Sequence, residues 1–177
     1  SFAQEAYDWQ IYSSKSNLAT AIYDGEKIWA GSDGGVYSFK ISDSSFSSLT
    51  KAQGLNGSPV KAIVVDPQKK IWFGSSNGVI DVYNPATGTL NRIMAIANSN
   101  KTLRGINELS LSGDTIVVAT DFGVSLINSK TLDFYETFVK FGSIAANTKV
   151  NSVFRAGLFY VSTQGGLAAQ KPGTTKL

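Results

Sequence analysis

The run Ile71-Trp72-Phe73-Gly74-Ser75-Ser76-Asn77-Gly78-Val79 sets an apolar triplet, a small residue, a hydroxyl and a polar turn ahead of a glycine and another apolar residue. The same order returns in Ile28-Trp29-Ala30-Gly31-Ser32-Asp33-Gly34-Gly35-Val36, in Ile116-Val117-Val118-Ala119-Thr120-Asp121-Phe122-Gly123-Val124 and in Phe159-Tyr160-Val161-Ser162-Thr163-Gln164-Gly165-Gly166-Leu167. The glycines Gly35, Gly78, Gly123 and Gly166 are spaced 43, 45 and 43 residues apart. The triplets are too short for helices and are rich in β-branched and aromatic residues, so they read as strands. A β-rich period of about 40–45 residues is the signature of a propeller blade. Triplets that are apolar throughout, without alternation, fit strands covered on both faces by neighbouring blades.

Working outward, each triplet has a strand before it and further strands after it. The leading strands are Leu18 to Tyr23, Val60 to Val65, Ile106 to Leu111 and Val150 to Arg155, joined to the triplets by turns such as Asp24-Gly25-Glu26-Lys27 and Asp66-Pro67-Gln68-Lys69-Lys70. A third strand follows each glycine, and a more polar fourth follows at Ser45 to Thr50, Thr89 to Ile96 and Leu132 to Val139. The fold predicted is all-β, a β-propeller of four-stranded antiparallel blades, with about four blades in this chain. The blades fall at residues 18–50, 60–96 and 106–139, with a fourth at 150–171 lacking its outer strand. Residues 7–13 (Tyr7-Asp8-Trp9-Gln10-Ile11-Tyr12-Ser13) read as an orphan outer strand, and residues 1–6 as a tail or signal remnant. Either the ring closes on itself or these blades form part of a larger ring of about 6–8 blades. In the second case the open arc leaves apolar faces on its end blades, which another part of the parent chain or a second copy must cover.

Composition removes many chemistries. The 177 residues contain no histidine and no cysteine. That excludes Ser-His-Asp and Cys-His machinery, His-ligated metals, disulfides and zinc ribbons. With 22 Ser, 13 Thr, 11 Asn and 17 Gly against 4 Pro, the chain is suited to turns and strands. The net charge of +3 is diffuse, so no basic stripe predicts nucleic-acid binding. No stretch is long and apolar enough to predict a membrane-spanning helix.

The runs Lys70-Ile71-Trp72-Phe73-Gly74-Ser75-Ser76-Asn77-Gly78-Val79 and Lys27 to Val36, with Gly54-Leu55 and Val60 to Asp66 ahead of the first, resemble the two-component regulator propeller repeat. More narrowly, Asn77 to Tyr83, Ala119 to Val124 and Trp9-Gln10-Ile11-Tyr12-Ser13-Ser14 are similar to the N-terminal β-propeller of PorZ-like proteins, surface components of type IX secretion. The third and fourth repeats depart from the pattern, with Val117 and Tyr160 in place of Trp and Ala119 and Ser162 in place of Gly. Repeats of this type usually come in larger rings, so the resemblance implies that these blades are part of a larger ring, in an exported bacterial protein that is either a sensor input module or a secretion accessory. It implies a periplasmic or outer-membrane-surface location, with signal transduction or type IX secretion as the setting.

Two sets of residues are candidate ligand-binding groups. Asp33, Asn77, Asp121 and Gln164 are read as occupying equivalent turn positions in the four repeats, where a ring would gather them on one rim as a polar or cation-binding rosette. The plainer reading is that Asp, Asn and Gly suit tight turns. Lys61, Asn107 and Asn151 hold the second position of three leading strands, which line the axial channel of a propeller. One cation and two amides there would suit a small anionic or hydroxylated ligand, or merely line a water-filled channel. Lys51 and Lys101-Thr102-Leu103-Arg104 lie in connections on the same rim, where they would meet an acidic partner or only solvent. Trp29 and Trp72 repeat at one strand position, as inter-blade core does. Asp121-Phe122-Gly123 matches a kinase triplet in letters alone, since no companion motif accompanies it.

The expectation is a non-catalytic ligand- or protein-binding module with no cofactor and no metal. Its partners would be further blades of the parent chain or a second copy, and a glycan, lipopolysaccharide or protein ligand. The alternatives are a structural scaffold between domains, or an enzyme whose axial site needs additional blades.

Overall fold

The computed structural model describes residues 17–173, which form four antiparallel sheets in sequence order. The first contains β1 (Thr20–Tyr23), β2 (Lys27–Ser32), β3 (Gly35–Lys40) and β4 (Ser45–Leu49). The second contains β5 (Val60–Val65), β6 (Ile71–Ser75), β7 (Ile80–Asn84) and β8 (Thr89–Ile93). The third contains β9 (Ile106–Ser112), β10 (Thr115–Thr120), β11 (Gly123–Asn128) and β12 (Phe134–Phe138). The fourth contains β13 (Val150–Ala156), β14 (Leu158–Thr163) and β15 (Gly166–Ala169). Each strand pairs with its neighbour in sequence, so every sheet is a meander, and this is the blade architecture of a β-propeller. The expected tail at 1–6 and orphan strand at 7–13 lie outside the described residues.

Burial explains why the triplets lack alternation. All five residues of β6 are buried, because Trp72 faces blade three while Ile71 and Phe73 face blade one. Buried clusters fill the gaps between blades one and two, two and three, and three and four. Trp29 and Trp72 belong to the first two of these clusters. Among the described residues none fills a gap between blade four and blade one, and the outward faces of those blades are open. In blade one, Tyr23, Ile28, Phe39 and Phe46 form one cross-strand row, and Phe46 is 75% exposed. In blade four the matching face carries Phe154 opposite Tyr160, and Leu167 opposite Ser162, with Leu167 74% exposed.

Close inter-blade approach accounts for the glycine after each Trp-containing triplet. A Cβ on Gly74 would lie 2.5 Å from Ile106 Cγ2, and one on Gly31 would lie 2.7 Å from Val60 Cγ1. The next blade's leading strand therefore fits only against a minimal residue, and Ala119 meets the third interface.

The hydroxyl in each repeat latches its turn. Ser32 Oγ, Ser75 Oγ, Thr120 Oγ1 and Thr163 Oγ1 donate to the carbonyls of Gly35, Val79, Gly123 and Gly166 at 3.2, 2.8, 2.9 and 2.8 Å. In blades one, three and four the same oxygen also accepts the N–H two residues on, from Gly34, Phe122 and Gly165.

Aspartates in the first turn of two blades hold their tryptophans. The Trp29 indole N–H donates to Asp24 at 2.6 Å and that of Trp72 to Asp66 at 2.9 Å. In blade three Val117 replaces the Trp, and Asp114 instead pairs with Lys130 at 2.7 Å. Burial pushes the Asp24 carboxyl up, but hydrogen bonds from the Lys27 N–H, the Trp29 indole and the Glu26 N–H outweigh it and hold its pKa below the usual 3.8. Because the folded value is the lower one, the stabilisation is complete above about pH 4 and is lost as pH falls through the folded pKa. Thermal melts between pH 5 and pH 3 should show the melting temperature falling less steeply in Asp24→Asn than in the parent. An identical slope in the two proteins would refute that role for Asp24.

Candidate functional site

The leading strands of three blades share an irregularity. In blade two Val60 pairs with Ser75 and Ala62 with Gly74, leaving Lys61 unpaired between them. In blade three Ile106 pairs with Thr120 and Glu108 with Ala119, leaving Asn107. In blade four Val150 pairs with Thr163 and Ser152 with Ser162, leaving Asn151. Each is a β-bulge, which inserts an extra residue and re-aims its side chain. Lys61, Asn107 and Asn151, with Thr20 of blade one, line one open cleft of about 320 Å³ between the leading strands of all four blades.

The bulged residues are not equally available. Asn107 Nδ2 donates to the Val150 carbonyl at 2.8 Å and to Asp121 Oδ1 at 3.2 Å, tying blade three to blade four. Glu108, the one carboxylate on a leading strand, accepts the Val153 N–H at 2.7 Å. Ser110 Oγ adds a bond to the Val153 carbonyl at 3.3 Å. Lys61 Nζ lies 3.8 Å from Asp33 with its side chain 42% exposed. Asn151 is exposed and its side chain makes no hydrogen bond among the described residues. Free polar chemistry in the cleft therefore comes from Lys61 and Asn151.

On the rim, Asp33, Asp121 and Gln164 each follow the latching hydroxyl by one residue. In blade two that place belongs to Ser76, whose N–H donates to the Pro59 carbonyl at 2.9 Å, as those of Asp121 and Gln164 donate to Gly105 and Lys149 at 2.9 and 3.0 Å. Asn77 sits one residue later and does not share the position of the other three. The blade-two turn is longer by one residue, with Gly74 opposite Ile80 where Gly31 stands opposite Val36 and Ala119 opposite Val124. Asn77 Oδ1 accepts from the Ser75 hydroxyl and the Val79 N–H within its own turn. The sequence carries this offset: Asp33 and Asp121 precede their glycines by two residues, and Asn77 precedes Gly78 by one.

No hydrogen bond or ion pair joins one of these four residues to another among the described residues. Asp33 accepts from Asn17 Nδ2 at 2.8 Å, and Asp121 accepts the Gly105 N–H at 2.8 Å with Lys149 Nζ at 3.8 Å. No group of three or more Asp, Glu, His or Cys residues gathers to hold a cation among the described residues. The rim groups work as ties between turn and neighbouring chain.

The buried carboxylate of Asp81 has no counterpart in the repeat pattern. It accepts the N–H groups of Asn56 and Gly57 at 2.9 and 2.7 Å and the Asn56 side-chain amide at 3.1 Å. It thereby anchors the connection entering blade two, whose Ser58 hydroxyl donates to the Asp33 carbonyl at 2.7 Å. Only its charge inside an otherwise apolar strand, Ile80-Asp81-Val82, marks it in the sequence.

Bulged leading strands around an axial cleft, latched turns and tryptophan-centred inter-blade cores run through the blades, and residues 28–175 match the family model of the type IX secretion PorZ N-terminal β-propeller domain. The chain belongs to the PorZ N-terminal β-propeller family. No curated protein sequence matches it significantly. Among solved structures, PorZ of Porphyromonas gingivalis, described as an essential bacterial surface component of the type IX secretion system, is similar at 21% identity and a TM-score of 0.74. The alignment covers 90% of this chain and 21% of that one. The extracellular domain of the BT4673 hybrid two-component system from B. thetaiotaomicron is similar at 20% identity and a TM-score of 0.75, again covering 90% of this chain and 21% of the other. A computationally designed protein, Ika4, aligns at 14% identity and a TM-score of 0.67 over 93% of this chain and 96% of its own. At these identities the likeness establishes the fold. The PorZ-type chain spans about a fifth of the two natural structures it resembles. No helix among its described residues is long and apolar enough to cross a membrane.

Proposed function

We infer that this PorZ-type propeller is a non-catalytic binding module of an exported bacterial protein, its four blades being one arc of a larger ring. The observation that carries the reading is the axial cleft, where β-bulges on three blades bring Lys61, Asn107 and Asn151 together, with Lys61 partly exposed 3.8 Å from Asp33 and the Asn151 amide unengaged among the described residues. One ammonium and one unengaged amide suit a small anionic, hydroxylated ligand such as a sugar acid. The larger ring draws on the open apolar rows at Ile28, Phe39 and Phe46 and at Phe154 and Leu167, which resemble inter-blade surfaces and would be covered by further blades. A location outside the cytoplasm, in secretion or in sensing, draws on the surface component and the extracellular domains among the structures it resembles. A catalytic role is disfavoured because Glu108 is engaged by the Val153 N–H and has no facing carboxylate on another leading strand.

Thermal-shift titration with glucuronate and galacturonate tests the cleft. A rise in melting temperature with ligand is expected, and it should vanish in the double variant Lys61→Ala/Asn151→Ala while the ligand-free melt stays put. Asn107→Ala is expected to lower stability by about 1–2 kcal/mol, since it frees a buried inter-blade carbonyl. An undiminished shift in the double variant would show that the cleft does not bind. The scaffold reading draws on Asn107, Glu108 and Ser110, each of which bonds blade three to the backbone of blade four. Absence of any sugar-acid shift would favour it.

A further inference from the structure

The antiparallel meander puts two kinds of connection on one face of the blades: those leading from a fourth strand to the next first strand, and the turns between second and third strands. On that face the described residues place Lys51, Lys61, Lys101, Arg104, Lys140 and Lys149 against Asp33 and Asp121, with Asp81 buried beneath the connection entering blade two and Glu108 engaged by the Val153 N–H. Asp33 and Asp121 already lie 3.8 Å from a lysine, Lys61 and Lys149 respectively. The opposite face carries Asp24, Glu26, Asp43, Asp66, Asp114 and Asp133 mixed with lysines, and pairs Lys40 with Glu26 at 2.8 Å and Lys130 with Asp114 at 2.7 Å. The acids are thus concentrated on the opposite face, and the first face carries an excess of positive charge.

Four of its cations meet no carboxylate among the described residues. Lys101 Nζ donates to Asn147 Oδ1 at 2.8 Å and lies 5.7 Å from the Phe122 ring. Lys140 Nζ donates to the Ile144 carbonyl at 2.6 Å, and Arg104 donates to the Ala97 carbonyl. Lys51 lies in the short 3-10 turn Lys51–Gln53, fixed by a reciprocal Thr50–Gln53 cap. These partners are neutral, so they orient the cations without cancelling their charge. Leu103 stands between Lys101 and Arg104 and is 67% exposed. An aliphatic side chain held open among cations has no use for a hydroxyl-rich polymer but fits an apolar side chain.

We propose that this face docks an acidic polypeptide segment carrying an aliphatic residue that packs on Leu103. The cations steer and orient the segment, and the leucine contact supplies the desolvated anchor. The proposal rests on the binding reading above but uses the rim, with the cleft left to its own ligand.

The test is fluorescence anisotropy on the full chain with a labelled synthetic peptide of repeated Glu-Glu-Leu units. Binding is expected to weaken as salt rises toward the physiological range, where screening extends over about 8 Å. The triple variant Lys51→Glu/Lys101→Glu/Lys140→Glu should lose about tenfold or more in affinity. Leu103→Ser should lose about fivefold, the cost of about 1 kcal/mol of apolar burial. If the charge reversals impair folding, Lys101→Gln alone should still weaken binding by about threefold. Equal binding by the variants overturns the proposal, as does capture of alginate or phosphatidylglycerol vesicles without capture of the peptide. An all-glutamate peptide that binds as tightly as the leucine-containing one removes the anchor and overturns it too. Peptide failure with sugar-acid binding retained at Lys61 and Asn151 would reject the rim proposal and leave the cleft reading standing.

Discussion

Trp72→Ala is expected to lower the unfolding free energy by about 3–5 kcal/mol, the range for deleting a large buried aromatic. Trp72 is fully buried between blades two and three, in the cluster with Ile80, Ile106, Ile116 and Val118. Those neighbours lie on paired strands and cannot move far enough to fill the void. The substitution also takes the indole N–H away from buried Asp66, leaving its carboxylate with the Lys70 N–H among the described residues. Trp72→Phe separates the two losses, since it retains most of the packing but not the donor, and should cost about 1–3 kcal/mol. Urea unfolding with a shared slope measures both. Trp29→Ala should cost less than Trp72→Ala, because the buried cluster around Trp29 is smaller than that around Trp72. A loss below about 1 kcal/mol for Trp72→Ala would mean that this interface does not dominate stability.

The second large effect belongs to Asp81. Asp81→Ala leaves the Asn56 and Gly57 N–H groups without their acceptor in a buried setting, at about 1–3 kcal/mol for each. Asp81→Asn keeps one acceptor oxygen and should lose about half as much. Urea unfolding gives the total, and amide exchange at Gly57 shows whether the loss is local: its protection should fall further than that of Val64 or Trp72 in β5 and β6. Equal loss at all three amides would mean that Asp81 supports the whole blade rather than its entry connection.

These two residues mark the limits of what the sequence conveys. Trp72 is legible because it repeats: the same position, the same following glycine and the same preceding aspartate recur in Trp29, Gly31 and Asp24. A ring of similar blades imposes a similar demand at each period, so the fold class, the strands and the inter-blade core can be read from periodicity. Asp81 is not repeated, and its partners lie about 25 residues away on a connection whose path no local pattern gives. The cleft was partly legible, because the second position of the leading strand is constant, but the bulges that aim Lys61, Asn107 and Asn151 arise from pairing with the next strand. Nor could spacing show that Asn107 is committed to the Val150 carbonyl while Asn151 is not. Asn77 matches Asp33 and Asp121 only in chemical type, since counting back from Gly78 already puts Ser76 in their place.

The turn latch has a consequence for how such a module can diversify. Each hairpin is closed by one hydroxyl and one backbone carbonyl, and in blades two, three and four the residue after the hydroxyl reaches the neighbouring connection through its backbone N–H. The side chains of Ser76 in blade two and Gln164 in blade four are therefore open to drift by single mutations without unmaking the hairpin. A lineage can rewrite what one rim meets while inheriting the ring unchanged. The lock and the keyhole are encoded by different letters of the same repeat.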